Sequence, residues 1–452
     1  MSSRETPRSS RDGLPSVQRN VDLPRSTALA EAALGLVLIA AGFVALLRDV
    51  PVWNAVWYAP AWYGYLLVVD AAILGRRGRS FVFGERRRLA AMLLWSIPFW
   101  FFFEGCNLVL RNWYYVFALR DLLASAIMSA IAFATVLPAC LFHAELLEAF
   151  GAWCSASCPA VRIGRQTLRG VEAGGLLALL LPLAFPRGGF PLIWFAPMGL
   201  EAANYRAGGD SLLRDLEEGR CGRLWRLLAG GLWAGAIWEL FNFRARCKWI
   251  YAVPGFEGSK LFEMPLAGFL GFPVLAVSAF SFLSFVQTGA TGRARRLLAV
   301  VAVLGCVAIE VGMQRFTVRS HRPLLGELSG LDGGSVAALK RAGVATPERL
   351  VTAVERSGIE VLSARAGVPA DALTRATAQA RLALHKGMSA PVAGLLERGG
   401  IRTVGELAAS EPEELSHRLA QLAAATGKQP PTLAEVRVWV RAARASGGRS
   451  VP

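Results

Sequence analysis

Gly235-Ala-Ile-Trp-Glu-Leu-Phe-Asn-Phe-Arg-Ala-Arg-Cys-Lys-Trp-Ile-Tyr251 sets a carboxylate, Glu239, and a carboxamide, Asn242, into an apolar helical pattern. An upstream segment, Trp100-Phe-Phe-Phe-Glu-Gly-Cys-Asn-Leu-Val-Leu-Arg-Asn-Trp-Tyr-Tyr115, keeps the same order: aromatic, Glu, two residues, Asn, a basic spacer, then Trp-x-Tyr. Glu104 answers to Glu239, Asn107 to Asn242, Trp113 to Trp249 and Tyr115 to Tyr251. Glu and Asn at i and i+3 share one helical face, so each copy presents a carboxyl and an amide together. An ionised acid in hydrocarbon costs about 2.5 to 3.5 kcal/mol on insertion scales, so both acids must face protein or water, or remain protonated. Glu104, Asn107, Glu239 and Asn242 are therefore the candidate polar site, with Asp70, Glu201, Asn204 and Glu263 as secondary positions. The competing expectation is that Glu and Asn hold helices together through hydrogen bonds without any ligand. Trp113, Tyr115, Trp249 and Tyr251 are expected to form an interfacial aromatic belt, because residues at i and i+2 do not share a helical face.

The surrounding composition makes the bilayer the solvent. Of 452 residues, 54% are hydrophobic and only 18% charged, with 13 Trp and 24 Phe. The formal charge of +16 comes largely from arginine in short loops, where it serves orientation. Seven cysteines lie mostly within or beside apolar runs and suggest no disulfide framework, and Cys154 and Cys158 lack the companions of a zinc site. No phosphate-binding glycine loop, metal-spaced His set or Ser/His/Asp arrangement is visible, so no cofactor and no metal are expected.

The expected fold is an all-α polytopic bundle of eight or nine transmembrane helices, followed by a small soluble helical domain. A basic arm expected to be disordered covers residues 1–26. Candidate spans are Thr27 to Leu47, Val52 to Leu74, Leu89 to Leu110, Leu122 to His143, Val171 to Phe185, Phe190 to Tyr205, Leu224 to Phe243, Pro265 to Val286 and Leu297 to Met313. The fifth and sixth are short and could merge or form a re-entrant pair. Residues 27–150 and 165–290 form two four-helix repeats joined by a linker at 151–164, with an extra helix at 291–316. Trp62 to Asp70 resembles Trp194 to Glu201, and each is followed by a loop of Arg, Gly and Ser. An even number of spans per half makes the repeats parallel, about an axis along the membrane normal. Arginines at 76–88, 162–169, 206–226 and 293–296 favour a cytoplasmic N-terminus in a multi-pass protein of the plasma (inner) membrane. Nine spans then put the C-terminus outside, whereas one merged span returns it to the cytoplasm.

Residues 324–445 change to Ala, Glu, Arg and Leu with soluble amphipathic spacing, and 446–452 form a tail. Leu339-Lys-Arg-Ala-Gly-Val-Ala-Thr346-Pro-Glu-Arg-Leu350 recurs as Leu396-Glu-Arg-Gly-Gly-Ile-Arg-Thr403-Val-Gly-Glu-Leu407. In both, Gly ends one helix and Thr caps the next. These hairpins resemble tandem helix-hairpin-helix domains of bacterial proteins. The segment's small basic excess is a weak footprint for nucleic acid, so a protein partner or self-association is expected through 324–445.

Through Trp62-Tyr-Gly-Tyr, Phe103-Glu104, Asn112-Trp-Tyr-Tyr and Phe262-Glu-Met-Pro, the membrane part is similar to uncharacterised bacterial multipass proteins. Trp249-Ile-Tyr with Pro265-Leu-Ala-Gly-Phe-Leu-Gly-Phe faintly resembles the membrane-bound lycopene cyclases, but Ala267 and Gly268 stand where that family carries paired acids. Three classes of function follow. One is transport, or small-ligand or proton binding, at the paired Glu/Asn faces. The second is a membrane-embedded enzyme on a lipid or isoprenoid, and the third a scaffold using its C-terminal hairpins. Membrane lipids are partners in all three.

Overall fold

The structure, a computed structural model, describes residues 25–48, 56–186, 190–289, 292–315, 319–425 and 429–449. The expected arm up to residue 24 and the last three residues of the tail lie outside the described residues.

The chain is predominantly helical, as its apolar runs predict. The first half comprises α1 (Arg25–Leu47), α2 (Tyr58–Arg77), α3 (Arg86–Leu110), β1 (Trp113–Ala118), α4 (Leu122–Phe133) and α5 (Val136–Ala149). The second comprises α6 (Arg165–Ala184), a 3₁₀ segment (Phe190–Leu200), α7 (Glu201–Ala207), α8 (Leu212–Glu217), α9 (Gly222–Arg244), β2 (Lys248–Tyr251), β3 (Lys260–Leu261), β4 (Met264–Pro265) and α10 (Gly271–Ser284). Then come α11 (Gly292–Arg315) and β5 (Arg319–His321).

Six helical segments are long and apolar enough to cross a membrane: Arg25–Leu47, Arg86–Leu110, Leu122–Ala149, Arg165–Ala184, Leu266–Thr288 and Gly292–Arg315. The sixth expected span is not one α-helix. Pro191 and Pro197 cannot donate backbone hydrogen bonds, and the run is wound as 3₁₀ before the short α7 takes over. It packs back along α6 as a hairpin, which rules out a single merged span over Val171 to Tyr205. α1 and α2 form the corresponding hairpin in the first half. Glycines permit both close approaches. A Cβ on Gly35 would lie 2.5 Å from the Gly64 carbonyl oxygen, and one on Gly175 would lie 2.6 Å from the Gly199 Cα. The centre is built by α5 and α3 against α9 and α10, while α1, α6 and α11 lie outside with exposed Leu34, Leu36, Leu177, Leu180, Val300 and Leu304.

A small sheet, absent from the sequence expectation, closes one end of the bundle in the order β2-β1-β5. β1 and β2 are antiparallel, with Trp113 opposite Tyr251 and Tyr115 opposite Trp249, and β5 runs parallel to β1. The opposite end gathers the arginine loops: Arg77 and Arg88 bind Glu145 at 2.8 and 3.0 Å, and Arg226 reaches Glu148 at 3.7 Å.

The C-terminal region is α12 (Gly333–Arg341), α13 (Pro347–Ser357), α14 (Ile359–Ala366), α15 (Ala370–Leu384), α16 (Ser389–Arg398), α17 (Val404–Ala409), α18 (Pro412–Ala424) and α19 (Leu433–Ala445). The expected caps are present: Thr346 Oγ1 accepts from Arg349 N–H, and Thr403 and Glu406 form a reciprocal box. Leu339, Leu350 and Leu373 fill one core, and Leu396, Leu407 and Trp439 fill another. The second core continues onto the sheet through Tyr114, Val116 and Ile250.

Candidate functional site

Trp-x-Tyr belongs to strands, not helices, and that changes its chemistry. Side chains at i and i+2 of a strand share a face, so Trp and Tyr of each copy point together toward the preceding helix. There they meet the glutamate. Glu104 Oε1 accepts from Trp113 Nε1 at 3.2 Å, from Trp100 Nε1 at 2.8 Å and from the Tyr115 hydroxyl. Glu239 Oε1 accepts from Trp249 Nε1 at 3.2 Å and the Tyr251 hydroxyl at 3.0 Å. Both acids are fully buried. The four aromatics expected at a lipid interface are thus hydrogen-bond partners of the site.

The asparagines hold the strands in place. Asn242 Nδ2 donates to the Trp249 carbonyl and its Oδ1 accepts from Trp249 N–H, both at 2.9 Å. Asn107 Nδ2 donates to the Trp113 carbonyl at 2.9 Å, and its Oδ1 accepts from Asn112 N–H at 2.9 Å and Trp113 N–H at 3.4 Å. The three-residue spacing therefore lets one helical turn fix a strand by its backbone through Asn and by its side chains through Glu. Asn204 behaves differently: its Nδ2 bonds Ser281 O at 2.9 Å and joins α7 to α10, which is the helix-joining role.

Asp70 and Glu201 also perform matching tasks. Asp70 accepts from Ser80 Oγ at 2.5 Å and from Phe81 and Val82 N–H at 3.0 and 3.2 Å. Glu201 Oε2 accepts from Ser211 Oγ at 2.9 Å and from Leu212 N–H at 2.7 Å. Each acid organises the arginine-bearing loop ten residues on, at the end of the bundle remote from the sheet.

Aromatic contacts tie the halves together in pairs. Trp62 stacks on Trp238 at 5.4 Å, and Trp194 stacks on Phe103 at 4.8 Å. Trp238 and Phe103 immediately precede Glu239 and Glu104. Trp194 and Trp238, one ring of each stack, line a cavity of about 170 Å³ walled also by Tyr58, Trp100, Trp113, Tyr115, Trp249 and Tyr251. A second, of about 370 Å³, shares Trp100, Trp113, Trp194, Tyr251 and Phe272 with the first, and the rest of its wall is apolar except for Asn112. Its rim includes Phe195, Phe256 and Leu270, all exposed. Glu239 Oε2 and the Tyr58 hydroxyl are buried without a hydrogen-bond partner among the described residues. Sequence reasoning gave Tyr58, Trp100, Trp194 and Trp238 no binding role, although Trp238 stands at the aromatic position before Glu239 in the repeat and Tyr58 falls among the aromatics expected at the outer face. A further signal was Trp194 answering to Trp62.

Glu263 lies beside this chamber in an ionic cluster. It pairs with Lys248 at 3.0 Å and Lys386 at 3.1 Å, while Lys260 Nζ donates to the Tyr251 carbonyl at 2.6 Å. Burial would raise the Glu263 carboxyl, but Lys248 and Lys386 outweigh it and hold it below the usual range. Burial pushes the Lys260 ammonium down to about 8, against partial compensation by Glu263. An unfolded lysine titrates near 10.4. Below about pH 8 the folded chain carries the full cost of this buried charge. From there to the unfolded value the unfolded chain binds more protons, so stability rises with pH. Thermal unfolding in detergent between pH 7 and 10 should show that rise, and Lys260→Gln should flatten it. An identical slope in the variant would refute the assignment.

Among the described residues, no group of three or more His, Cys, Asp or Glu side chains could hold a metal ion.

The comparisons with known proteins bear on the C-terminal part. A family described as Domain of unknown function (DUF4332) matches residues 334–446, nearly all of them in the segment 324–445 that composition separates from the apolar helices. No curated protein and no solved structure matches the chain.

Proposed function

We propose that the chain is a multi-pass membrane protein whose two Glu/Asn/Trp/Tyr clusters frame a binding site for an apolar molecule taken from the bilayer. The observation that carries this reading is the pair of adjoining cavities, walled by aromatics, beside which Glu239 keeps a buried oxygen without a partner among the described residues. An apolar chamber with a few convergent polar groups is the usual anatomy of a small-molecule site. The exposed rim at Phe195 and Leu270 gives a lateral path from hydrocarbon. The halves serve as parallel repeats about an axis along the membrane normal, supported by the matched stacks Trp62 on Trp238 and Trp194 on Phe103. Ala267 and Gly268 line the second cavity, so that wall offers no acid for the chemistry the cyclase resemblance implies.

The test is tryptophan quenching by a long-chain bromoalcohol in detergent micelles. Saturable quenching is expected in the native protein, and Glu239→Gln should weaken it about tenfold, the scale of one hydrogen bond to a charged or polar group. Folding should be little changed, because the amide oxygen of Gln can still accept from Trp249 and Tyr251. Quenching that grows linearly without saturation means the cavities hold no such ligand.

A further inference from the structure

The sheet has two faces, and the second one is covered by the C-terminal domain. Strand alternation sends Trp113, Tyr115, Trp249 and Tyr251 to the cavity and turns Tyr114, Val116 and Ile250 the other way. The outward set is buried: Val116 is 1% exposed and Ile250 0%. Their cover comes from α15, the turn that follows it and α19, through Leu382, Ala383, Met388 and Trp439. A single layer of backbone therefore separates the domain from the aromatic wall of the site.

The contact is polar as well as apolar. Trp439 Nε1 donates to the Tyr114 hydroxyl at 3.1 Å, Arg111 binds Glu435 at 3.0 Å and the Pro430 carbonyl at 2.9 Å, and Lys386 reaches Glu263 at 3.1 Å. The turn carrying Lys386 has unusual backbone. Lys386 and Ser389 sit at positive φ, 46° and 69°, as does Gly387 at 65°. Non-glycine residues rarely adopt this region, and they persist there where the surroundings over-determine them. At Gly387 the reason is space: a Cβ would lie 2.2 Å from the Val116 Cβ. Ser320 Oγ on β5 donates to the Gly387 carbonyl, so the turn is gripped by two strands of the sheet.

We infer that the domain matched over residues 334–446 is a regulatory cap for the membrane cavity, and that the turn His385–Ser389 is the latch through which it holds the cavity's roof. Glu263 is the junction, since it binds Lys386 of the latch and Lys248 of β2 at once. With the latch seated, β1 and β2 are clamped between cap and bundle, and the four aromatics are fixed around the chamber. With it released, the roof is a short sheet exposed on its outer face, and such sheets open readily.

This inference rests on the ligand reading above, and its test separates the two. Hydrogen exchange is measured on the full chain in detergent for peptides covering residues 113–118 and 248–251, together with the release rate of the bromoalcohol probe. Gly387→Ala forces the latch off Val116, and Lys386→Met removes its charge. Both variants should accelerate exchange in the two strands and probe release by about tenfold or more, as loss of one buried ionic partner or one forced clash shifts a docked equilibrium by at least that factor. Exchange in α3 and α9 should stay as in the native protein, which distinguishes release of the latch from unfolding. Unchanged strand exchange in both variants overturns the latch. Faster strand exchange with unchanged probe release overturns the regulation and leaves a domain that is merely docked. If the native protein binds no probe, the ligand reading fails and the regulatory role fails with it, while exchange still reports whether the latch holds the sheet.

Discussion

Replacing Asn242 with leucine is expected to cost the helical bundle about 3 to 5 kcal/mol, the sum for two buried backbone groups left without partners. β2 turns the N–H and C=O of Trp249 away from β1, and Asn242 receives both at 2.9 Å, taking the place of a neighbouring strand. Leucine fills a similar volume and satisfies neither group. Because Trp249 also carries its indole to Glu239, loss of the backbone clamp should release the acid's partners along with the strand. Asn242→Asp provides the graded comparison, since it still accepts from Trp249 N–H but cannot donate to the carbonyl. Asn107→Leu should be at least as damaging, as its amide serves Asn112 and Trp113 together. Asn204→Leu should loosen α7 from α10 and leave the sheet intact, because its partner is Ser281. Thermal unfolding in detergent, combined with hydrogen exchange over residues 248–251, measures both quantities. If Asn242→Leu unfolds within a degree or two of the native protein, the strand does not depend on its asparagine.

The repeated order Glu, Asn, Trp, Tyr was legible in the sequence because it lies within two short local windows. What those residues do was not. Trp113 and Tyr115, like Trp249 and Tyr251, were given helical period because they follow apolar helices closely, and helical period sends i and i+2 to different faces. Lys248-Trp-Ile-Tyr does carry strand character, aromatic and β-branched, but four such residues cannot be told from a helix end by periodicity alone. The pairing that stabilises them joins Tyr115 to Trp249 and, on the other side, to Arg319, separations that no local pattern encodes. That a loop of Arg, Gly and Ser follows both Asp70 and Glu201 is visible in the sequence. Their task of accepting from the backbone of the following loop depends on the loop's path, which composition does not give. The caps at Thr346 and Thr403 were legible because a cap is a contact between residues three apart.

A reporter fused after Val451 is expected on the side of the membrane opposite to the arginine loops, and a reporter in the Arg79 to Glu85 loop on the cytoplasmic side. α3 sets the distance between the two ends. Its 25 residues rise about 37 Å at 1.5 Å each, enough to cross hydrocarbon about 30 Å thick. Arg86, Arg87 and Arg88 lie at its start, and Asn112 and β1 follow its end. The starting end also holds Glu145 and Glu148, bound by Arg77, Arg88 and Arg226, so the arginine-rich loops of both halves meet there. At the other end, Arg111 binds Glu435 and Arg120 binds Glu327, which assigns two cations of that side to the C-terminal domain. We propose, because the cytoplasm retains positive charge, that the arginine end lies inside. On that proposal the domain, seated on the sheet, would face outward, which agrees with an odd number of passes if the hairpin over Val171 to Tyr205 is counted as two. Removing the loop arginines as a group should weaken or invert this orientation, whereas Arg111→Gln should leave it unchanged and loosen only the domain. A cytoplasmic signal from the fusion after Val451, with the Arg79 to Glu85 loop also cytoplasmic, cannot be reconciled with a domain docked on β1 and β2.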